Sequence, residues 1–366
     1  MLRPRVLFLL ALGLLLAIHP MVAANYAVGS CKPSPTSYPT ISAAVSTVPP
    51  GSTVEVCPNT YPEQLTIAQP LTLKGVTSGN AGQAVITVPG SGLTAVITGL
   101  GYPIAPQVHV TTGPVNISDI TVDGTGSNVT TYPPWLVGIL YDSGSSGTVN
   151  EVTARNLSTS AAAGVGVWAE NATGTSESVT IENSSFHDID DSSVITLGST
   201  LLATVKGNTM LAGAYPVQWS SAGTLIANVI NGGIKGIIVK GPVTVSANTL
   251  AYQFIGIVAS GGVTATSNKI SYADQGIVDF GGGDTYKSNA ITKVRIGIEF
   301  NCHTLTALGN TINDATTGID FVPSSFSGAN SFDNVATLRT DGCGFNAVHG
   351  PDLPAPHSGP MRAPAH

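Results

Sequence analysis

A repeat of about 20 residues runs through the C-terminal half of the chain and is marked by regularly spaced asparagines. These are Asn208, Asn228, Asn248, Asn268, Asn289 and Asn310. A Gly-Ile step follows most of them eight residues later, as at Gly236-Ile237 and Gly256-Ile257. A fixed period of this length predicts a solenoid, in which each repeat forms one coil that stacks on the next.

Each repeat contains short alternating apolar runs separated by glycine, proline or asparagine, as in residues 236–250. This pattern predicts three short strands per coil, which pair in parallel with the strands of the next coil at a spacing of about 4.8 Å. We expect the asparagines to stack at one turn, with their amides hydrogen-bonded along the axis. Upstream, Asn183 and Asn156 continue the pattern at longer spacing, which predicts loops that leave the coil.

The segments TISAAVSTVPPGSTVEVCPNTY and PLTLKG, together with the GI-x-V and N-x-I repeats, resemble the right-handed parallel β-helix, or pectin-lyase-like, superfamily over residues 38–325. The predicted fold class is all-β, a right-handed parallel β-helix solenoid of roughly ten coils. Helical spacing at Ile41, Ala44, Val45 and Val48 predicts an N-terminal capping helix. The superfamily includes lyases, hydrolases, esterases, epimerases and non-catalytic proteins, so the resemblance does not define an activity.

The two ends of the chain differ from the repeat. Residues 1–24 have the features of a secretory signal peptide, with Arg3 and Arg5 before a short apolar run. That run is too short to span a membrane, so we expect a secreted, extracellular or periplasmic protein without membrane insertion. Residues 349–366 are rich in proline and predict a disordered tail.

A single β-helix domain is predicted between these ends, over residues 25–348. Its parts are an N-terminal cap at about 38–75, loop-bearing coils at about 110–220, regular coils at about 221–325 and a C-terminal cap to about 348. We expect a monomer.

Four cysteines in an exported chain predict two disulfides, for which three pairings exist. Proximity in the sequence favours Cys31–Cys57 and Cys302–Cys343. The net charge of −7 and the pI near 5.4 exclude a basic nucleic-acid-binding surface. We expect no required cofactor. The composition is compatible with calcium bound by aspartates.

A first candidate catalytic cluster lies in the segment FHDIDDSSVITL, which contains His187, Asp190 and Asp191. The paired aspartates faintly resemble the motif of polygalacturonases. The accompanying Asn-Thr-Asp, Ser-His-Gly and Arg-x-Lys segments of that family are missing. The alternative interpretation is a turn in which aspartates accept hydrogen bonds from backbone amides.

A second candidate catalytic cluster consists of Glu299 and Asp320, which the repeat places on adjacent coils about 5 Å apart. Two carboxylates at this distance can share a proton or hold calcium. Asp279 lies nearby, but alternation predicts that it points inward, where a carboxylate needs hydrogen-bond partners. The alternative is a solvated acidic patch.

Aromatic residues concentrate in the loop-bearing half, where Trp135, Trp168 and Tyr141 are candidate substrate-binding residues. Aromatic rings suit the C–H face of a sugar, although packing beneath loops is the alternative. We therefore expect the protein to engage a polysaccharide along a loop-walled groove over residues 120–220. The competing hypotheses are a non-catalytic structural or adhesin-type surface protein and a pectin-type lyase, hydrolase or esterase.

Overall fold

The computed structural model contains 32 strands and a short helix among its described residues. With a single exception among these residues, in which β8 (Val96–Ile97) runs antiparallel to β9, the strands pair in parallel. This confirms the predicted parallel β-helix, whose coils have three faces. The described residues are 24–32, 36–77, 82–161, 163–211, 213–300, 306–322 and 328–341.

The first face, sheet A, contains the Gly-Ile steps. Several of its strands continue around a corner into another face, so they contribute to two sheets. Sheet A is formed by β5 (Leu65–Ile67), β9 (Pro103–Val110), β12 (Trp135–Tyr141), β15 (Gly164–Glu170), the first halves of β18 (Ser192–Lys206) and β20 (Val217–Ile226), β22 (Lys235–Lys240), β25 (Ile255–Ser260), and the second halves of β27 (Lys269–Asp279), β29 (Ala290–Phe300), β31 (Thr311–Val322) and β32 (Ser331–Asp341).

The second face, sheet B, precedes the asparagine turn. It is formed by β1 (Asn25–Val28), β2 (Ser37–Tyr38), β3 (Thr53–Val56), β6 (Leu71–Gly75), β10 (Val115–Ser118), β13 (Gly147–Asn150), β16 (Glu177–Glu182), the second halves of β18 and β20, β23 (Val243–Ser246), β26 (Thr264–Thr266), β28 (Thr285–Lys287) and β30 (Thr306–Leu308).

The third face, sheet C, follows the asparagine turn and leads into sheet A. It is formed by β4 (Asn59–Pro62), β7 (Ala84–Thr87), β11 (Ile120–Asp123), β14 (Thr153–Leu157), β17 (Ser185–Ile189), β19 (Thr209–Leu211), β21 (Val229–Asn231), β24 (Thr249–Ala251) and the first halves of β27, β29, β31 and β32.

The interior is filled by apolar side chains that recur at the same position of successive coils. In sheet A, for example, Val217, Ile237, Ile257 and Ile277 are paired in register and fully buried. Each coil therefore buries its apolar face only against its neighbours, which explains why the 20-residue period is the dominant signal in the sequence.

The asparagine ladder forms as predicted. Asn248 Nδ2 donates to Asn268 Oδ1 (3.0 Å), and the backbone N–H of Asn248 donates to the same oxygen (3.0 Å). The ladder extends one step further than predicted, to Asn330. Upstream, however, the ladder position is held by Ser184, whose N–H donates to Asn208 Oδ1, so the assignment of Asn183 to this row was wrong by one residue. On the coil before it, the Val152 N–H donates to Ser184 Oγ, so the assignment of Asn156 to the ladder was also wrong.

The N-terminal end carries helix α1 (Ile41–Thr47), which Thr40 begins by accepting a hydrogen bond from the Ala43 N–H. The N–H groups of Ile41 and Ser42 donate to the Glu63 carboxylate, which satisfies two further free amides of the first turn.

The predicted disulfide between Cys31 and Cys57 is present. Cys302 and Cys343 lie outside the described residues, as do residues 1–23 and 342–366, so the second disulfide, the signal peptide and the tail stay predictions. Within the described ranges, no helix is long and apolar enough to cross a membrane.

Candidate functional site

Asp190 stabilises a turn of the preceding coil by accepting hydrogen bonds from its backbone. Its Oδ1 accepts from the Gly164 N–H and its Oδ2 from the Thr159 N–H, each at 2.6 Å. Both contacts are with backbone amides of the preceding coil, so Asp190 has the turn-stabilising geometry named above as the alternative to a catalytic role.

Asp191 lies beneath the outer surface of sheet A and is only 2% exposed. Its Oδ2 accepts hydrogen bonds from Ser192 Oγ (3.0 Å) and Gln218 Nε2 (3.1 Å). Burial, together with the nearby Asp190 charge, raises the pKa of the Asp191 carboxyl to about 7 despite the bond from Ser192. Asp191 is therefore an acid that titrates near neutral pH, but it offers almost no surface to a ligand.

His187 belongs to sheet C rather than to sheet A. Its Nδ1 lies 2.6 Å from Asp188 Oδ2 at the corner between these sheets. The predicted cluster is thus divided among three different contacts: Asp190 binds a turn, Asp191 binds Gln218, and His187 binds Asp188.

Trp135 and Trp168 do come together, on the outer face of sheet A, with ring centroids 5.6 Å apart. Tyr132 packs on the first and Tyr102 on the second, each at 5.3 Å. Both tryptophans are nearly covered, at 3% and 2% exposure. This arrangement matches the packing alternative, because a polymer on the surface cannot reach their faces.

The hairpin formed by β8 and β9 helps to cover this cluster and is held in place by hydrogen bonds to two carboxylates. Asp142 Oδ1 accepts from the Gly99 N–H (3.0 Å), and Glu170 Oε1 accepts from the Leu100 N–H (2.8 Å). Glu170 Oε2 also accepts from Trp168 Nε1 (3.0 Å). These bonds hold the hairpin tip against the sheet.

Tyr141 lies inside the solenoid and has no exposed surface. Its hydroxyl donates to the Val115 carbonyl at 2.8 Å. Alternation places it there because its neighbour Leu140 takes the outward position of the strand. The structure therefore gives Tyr141 a packing role and no surface with which to bind substrate.

Glu299 and Asp320 are paired neighbours on the outer face of sheet A, as the repeat predicts. Gln275 Nε2 donates to Glu299, and the Thr340 hydroxyl donates to Asp320. Burial and the Asp320 charge raise the pKa of Glu299. No group of three His, Cys, Asp or Glu side chains that could hold a metal ion occurs among the residues the structure describes.

Asp279 points into the solenoid and is fully buried, as alternation predicts. Its Oδ1 accepts from the Gly281 and Gly282 N–H groups, and its Oδ2 accepts from the Tyr286 hydroxyl at 2.8 Å. Asp284 lies on the other side of that hydroxyl. Asp279 is therefore on the opposite face of the sheet from Glu299, and the two do not share a site.

A surface that sequence analysis missed runs along the corner between sheets C and A. At this corner eight of the described residues, on different coils, have a positive φ, a conformation that glycine, asparagine and aspartate adopt most readily. Tyr252, Tyr272 and Lys293 depart from that preference. The residues of this corner row are Asn156, Asp188, Gly232, Tyr252, Tyr272, Lys293, Asp314 and Asn334.

Tyr252 and Tyr272 are stacked face to face, with centroids 5.0 Å apart and planes at 11°. They are 61% and 46% exposed, and Phe254 beside them is 57% exposed. Lys293 continues the stack, because its Nζ lies 4.6 Å from the Tyr272 centroid and donates to the Tyr272 hydroxyl at 2.7 Å. The result is an exposed aromatic platform that follows the solenoid axis.

A cavity of about 550 Å³ lies at the C-terminal end of this row. Asn334 Nδ2 donates to Asp314 Oδ1 (2.7 Å) at its rim. The cavity is lined by Val294, Asp314, Ala315, Thr316, Asn334, Val335 and Ala336.

We call the platform and the outward-facing residues of the cavity together the corner surface. Its ten residues are Tyr252, Phe254, Tyr272, Asp274, Lys293, Arg295, Asp314, Thr316, Asn334 and Ala336.

No protein-family model matches the chain, and comparison with curated proteins finds no match. Among solved structures, a GH136 lacto-N-biosidase from Eubacterium ramulus is similar at a TM-score of 0.51 and 9% identity, covering 86% of this chain and 68% of that one.

Two epimerases are similar at a TM-score of 0.44. The A-module of the Azotobacter vinelandii mannuronan C-5 epimerase AlgE6 has 16% identity and covers 79% of this chain and 91% of its own. The periplasmic alginate epimerase AlgG has 11% identity and covers 82% and 83%. At these identities, what the chain shares with the lacto-N-biosidase is its fold, and that fold is the parallel β-helix.

Proposed function

We propose that this protein binds a polysaccharide along the corner surface. The observation that carries the proposal is the exposed stack of Tyr252 on Tyr272, continued by Lys293. Because Tyr252 and Lys293 lie over the Tyr272 ring, the stack presents mainly ring edges and hydroxyl groups along the axis. Such amphipathic groups can contact the C–H and hydroxyl groups of sugars. The row has an aromatic ring on two consecutive coils and a lysine on the third, which suits an extended polymer better than a small molecule.

The corner does not need tyrosine in order to form, because other coils use Gly232, Asp314 and Asn334 at this position. A bulky residue at positive φ costs about 1 to 2 kcal/mol, so the fold alone does not account for the two tyrosines. Ala247 and Ser267 have the same conformation at the asparagine turn, so the strain by itself does not mark a binding residue.

The disulfide between Cys31 and Cys57 supports a secreted or periplasmic location, because such bonds persist in oxidising compartments. The predicted groove over residues 120–220 receives less support, since its tryptophans are covered. A purely structural role is the competing hypothesis, and the regular asparagine ladder agrees with it equally well.

Affinity electrophoresis in gels containing different polysaccharides tests the proposal. We expect at least one polymer to retard the wild-type protein, and the Tyr252→Ala/Tyr272→Ala double variant to bind at least about tenfold more weakly, or about 1.4 kcal/mol. Leu202→Ala is the matched control, because Leu202 is also exposed (53%) but lies on sheet B. Migration unchanged by every polymer would support the structural role instead.

A second experiment incubates the same polymers with the protein and compares their masses before and after by mass spectrometry. Fragments or lost substituents would establish an enzyme, and unchanged masses for a retained polymer would establish binding without cleavage.

A further inference from the structure

The charges of the corner surface are balanced within the surface itself. Arg295 binds Asp274 through two parallel hydrogen bonds, Nε to Oδ1 at 2.9 Å and Nη2 to Oδ2 at 2.7 Å. Lys293 donates to the Tyr272 hydroxyl, and Asp314 occupies the same position on the next coil. The ten residues thus carry two positive and two negative charges, and the neighbouring carboxylates Glu299 and Asp320 also act on Arg295, so the surface has no excess of positive charge. Such a surface does not attract a polyanion over a distance.

The cavity at the end of the row is open to solvent, and its exposed lining is mostly polar. Val294, Ala315 and Val335 lie beneath it, with side chains that belong to or pack against the solenoid core. At the rim, the Asp314 carboxylate accepts hydrogen bonds, whereas the Thr316 hydroxyl and the Asn334 amide both donate and accept. Hydroxyl groups of a sugar can satisfy all three. A ligand carboxylate would instead face the Asp314 carboxylate, and like charges at short distance repel.

We propose that the ligand of the corner surface is a neutral, hydroxyl-rich polysaccharide, and that one of its sugar units occupies the cavity bounded by Asp314, Thr316 and Asn334. This inference rests on the proposed function and specifies its ligand. The edges and hydroxyl groups of the aromatic platform contact the polysaccharide, while the cavity selects against uronic acids. Charge balance and the hydrogen-bonding rim distinguish this ligand from a second copy of the protein, which an exposed apolar platform alone would equally fit.

The test compares neutral polymers, such as a β-glucan, a galactan and a galactomannan, with polygalacturonate and alginate. Isothermal titration uses the wild-type protein at low and high salt. We expect the best neutral polymer to bind at least about tenfold more tightly than either polyuronate. Binding of the neutral polymer should also be insensitive to salt, because no ion pair forms with it.

Two variants separate the cavity from the platform. Asp314→Asn keeps the acceptor for Asn334 but removes the negative charge. The ratio of the affinity for the neutral polymer to the affinity for a polyuronate should therefore fall by at least about threefold. Thr316→Val keeps the shape of the rim but removes a hydroxyl, so it should weaken binding of the neutral polymer by about three- to tenfold. Thermal unfolding of each variant confirms that it is folded.

Tighter, salt-sensitive binding of a polyuronate that depends on Tyr252 and Tyr272 would overturn this inference and leave the proposed function standing. Failure of every polymer to bind would overturn both. Self-association of the free protein that Tyr272→Ala abolishes, seen by light scattering, would show that a second copy occupies the surface.

Discussion

Tyr252 and Tyr272 both adopt a backbone conformation that disfavours bulky side chains. The strain of a positive φ is about 1 to 2 kcal/mol for each tyrosine, or about 2 to 4 kcal/mol for the two, whereas their stacking contributes about 0.5 to 1.5 kcal/mol. The pair is therefore unfavourable for folding. Selection for stability alone does not explain two tyrosines at positions where asparagine or glycine would serve.

Asp191 gives the protein a pH dependence of stability near neutrality. Burial raises the pKa of Asp191 in the folded protein to about 7, well above the usual range of an aspartate, so between about pH 4 and pH 7 the folded state binds more protons than the unfolded state. Stability from this group is lost as pH rises through this window and regained as pH falls. We expect Asp191→Asn to reduce the difference in unfolding free energy between about pH 5 and pH 8 by about 2 to 3 kcal/mol.

Urea unfolding at the two pH values measures this effect. Asparagine can still accept hydrogen bonds from Ser192 and Gln218, so the variant should fold. A pH dependence identical to that of the wild type would show that Asp191 is not the group responsible.

Among the elements, the asparagine ladder stabilises the fold through several buried hydrogen bonds per residue. Asn268 is fully buried, accepts from the N–H and Nδ2 of Asn248, and donates to the Val245 carbonyl and to Asn289. Asn268→Ala leaves several of these buried groups without partners. We expect a loss of about 3 kcal/mol of unfolding free energy.

Asn330→Ala is the matched control at the end of the same ladder, where the contacts are only partly buried. Because water can replace the lost partners there, its loss should be about 1 kcal/mol or less. Thermal or urea unfolding of both variants provides the comparison. Equal losses would contradict a ladder whose contribution depends on burial.

Sequence analysis located the elements well wherever one period repeated without insertion. The ladder, the strands and the inward position of Asp279 all follow from the 20-residue spacing. Where loops interrupt the period, the predicted positions were displaced, and Ser184 rather than Asn183 continues the ladder.

Sequence analysis did not identify the corner surface, although the sequence contains a regular pattern that marks it. Tyr252, Tyr272, Lys293 and Asp314 each follow a ladder asparagine by four residues, and they keep its spacing. Alternation alone does not identify this position as an exposed corner, because that depends on the positive φ found in the structure. Burial of Trp135 and Trp168 likewise depends on the hairpin that covers them.

At the scale of the whole molecule, the corner surface extends over five consecutive coils, from Tyr252 to Asn334. The rise of each coil is about 4.8 Å, so the surface is roughly 20 Å long. A ligand that follows the axis should gain contacts with each added sugar until it spans the platform and the cavity. A ligand that is bound at a single point should gain no affinity from additional sugars.

Isothermal titration with oligosaccharides of increasing length, cut from the polymer that binds best, tests polymer binding at the corner surface most directly. Affinity for the wild type should rise with length and then reach a plateau once the five coils are spanned. The Tyr272→Ala variant should bind the longest oligosaccharide at least about tenfold more weakly than wild type. Affinity that is independent of length and unchanged by Tyr272→Ala would contradict binding along this surface.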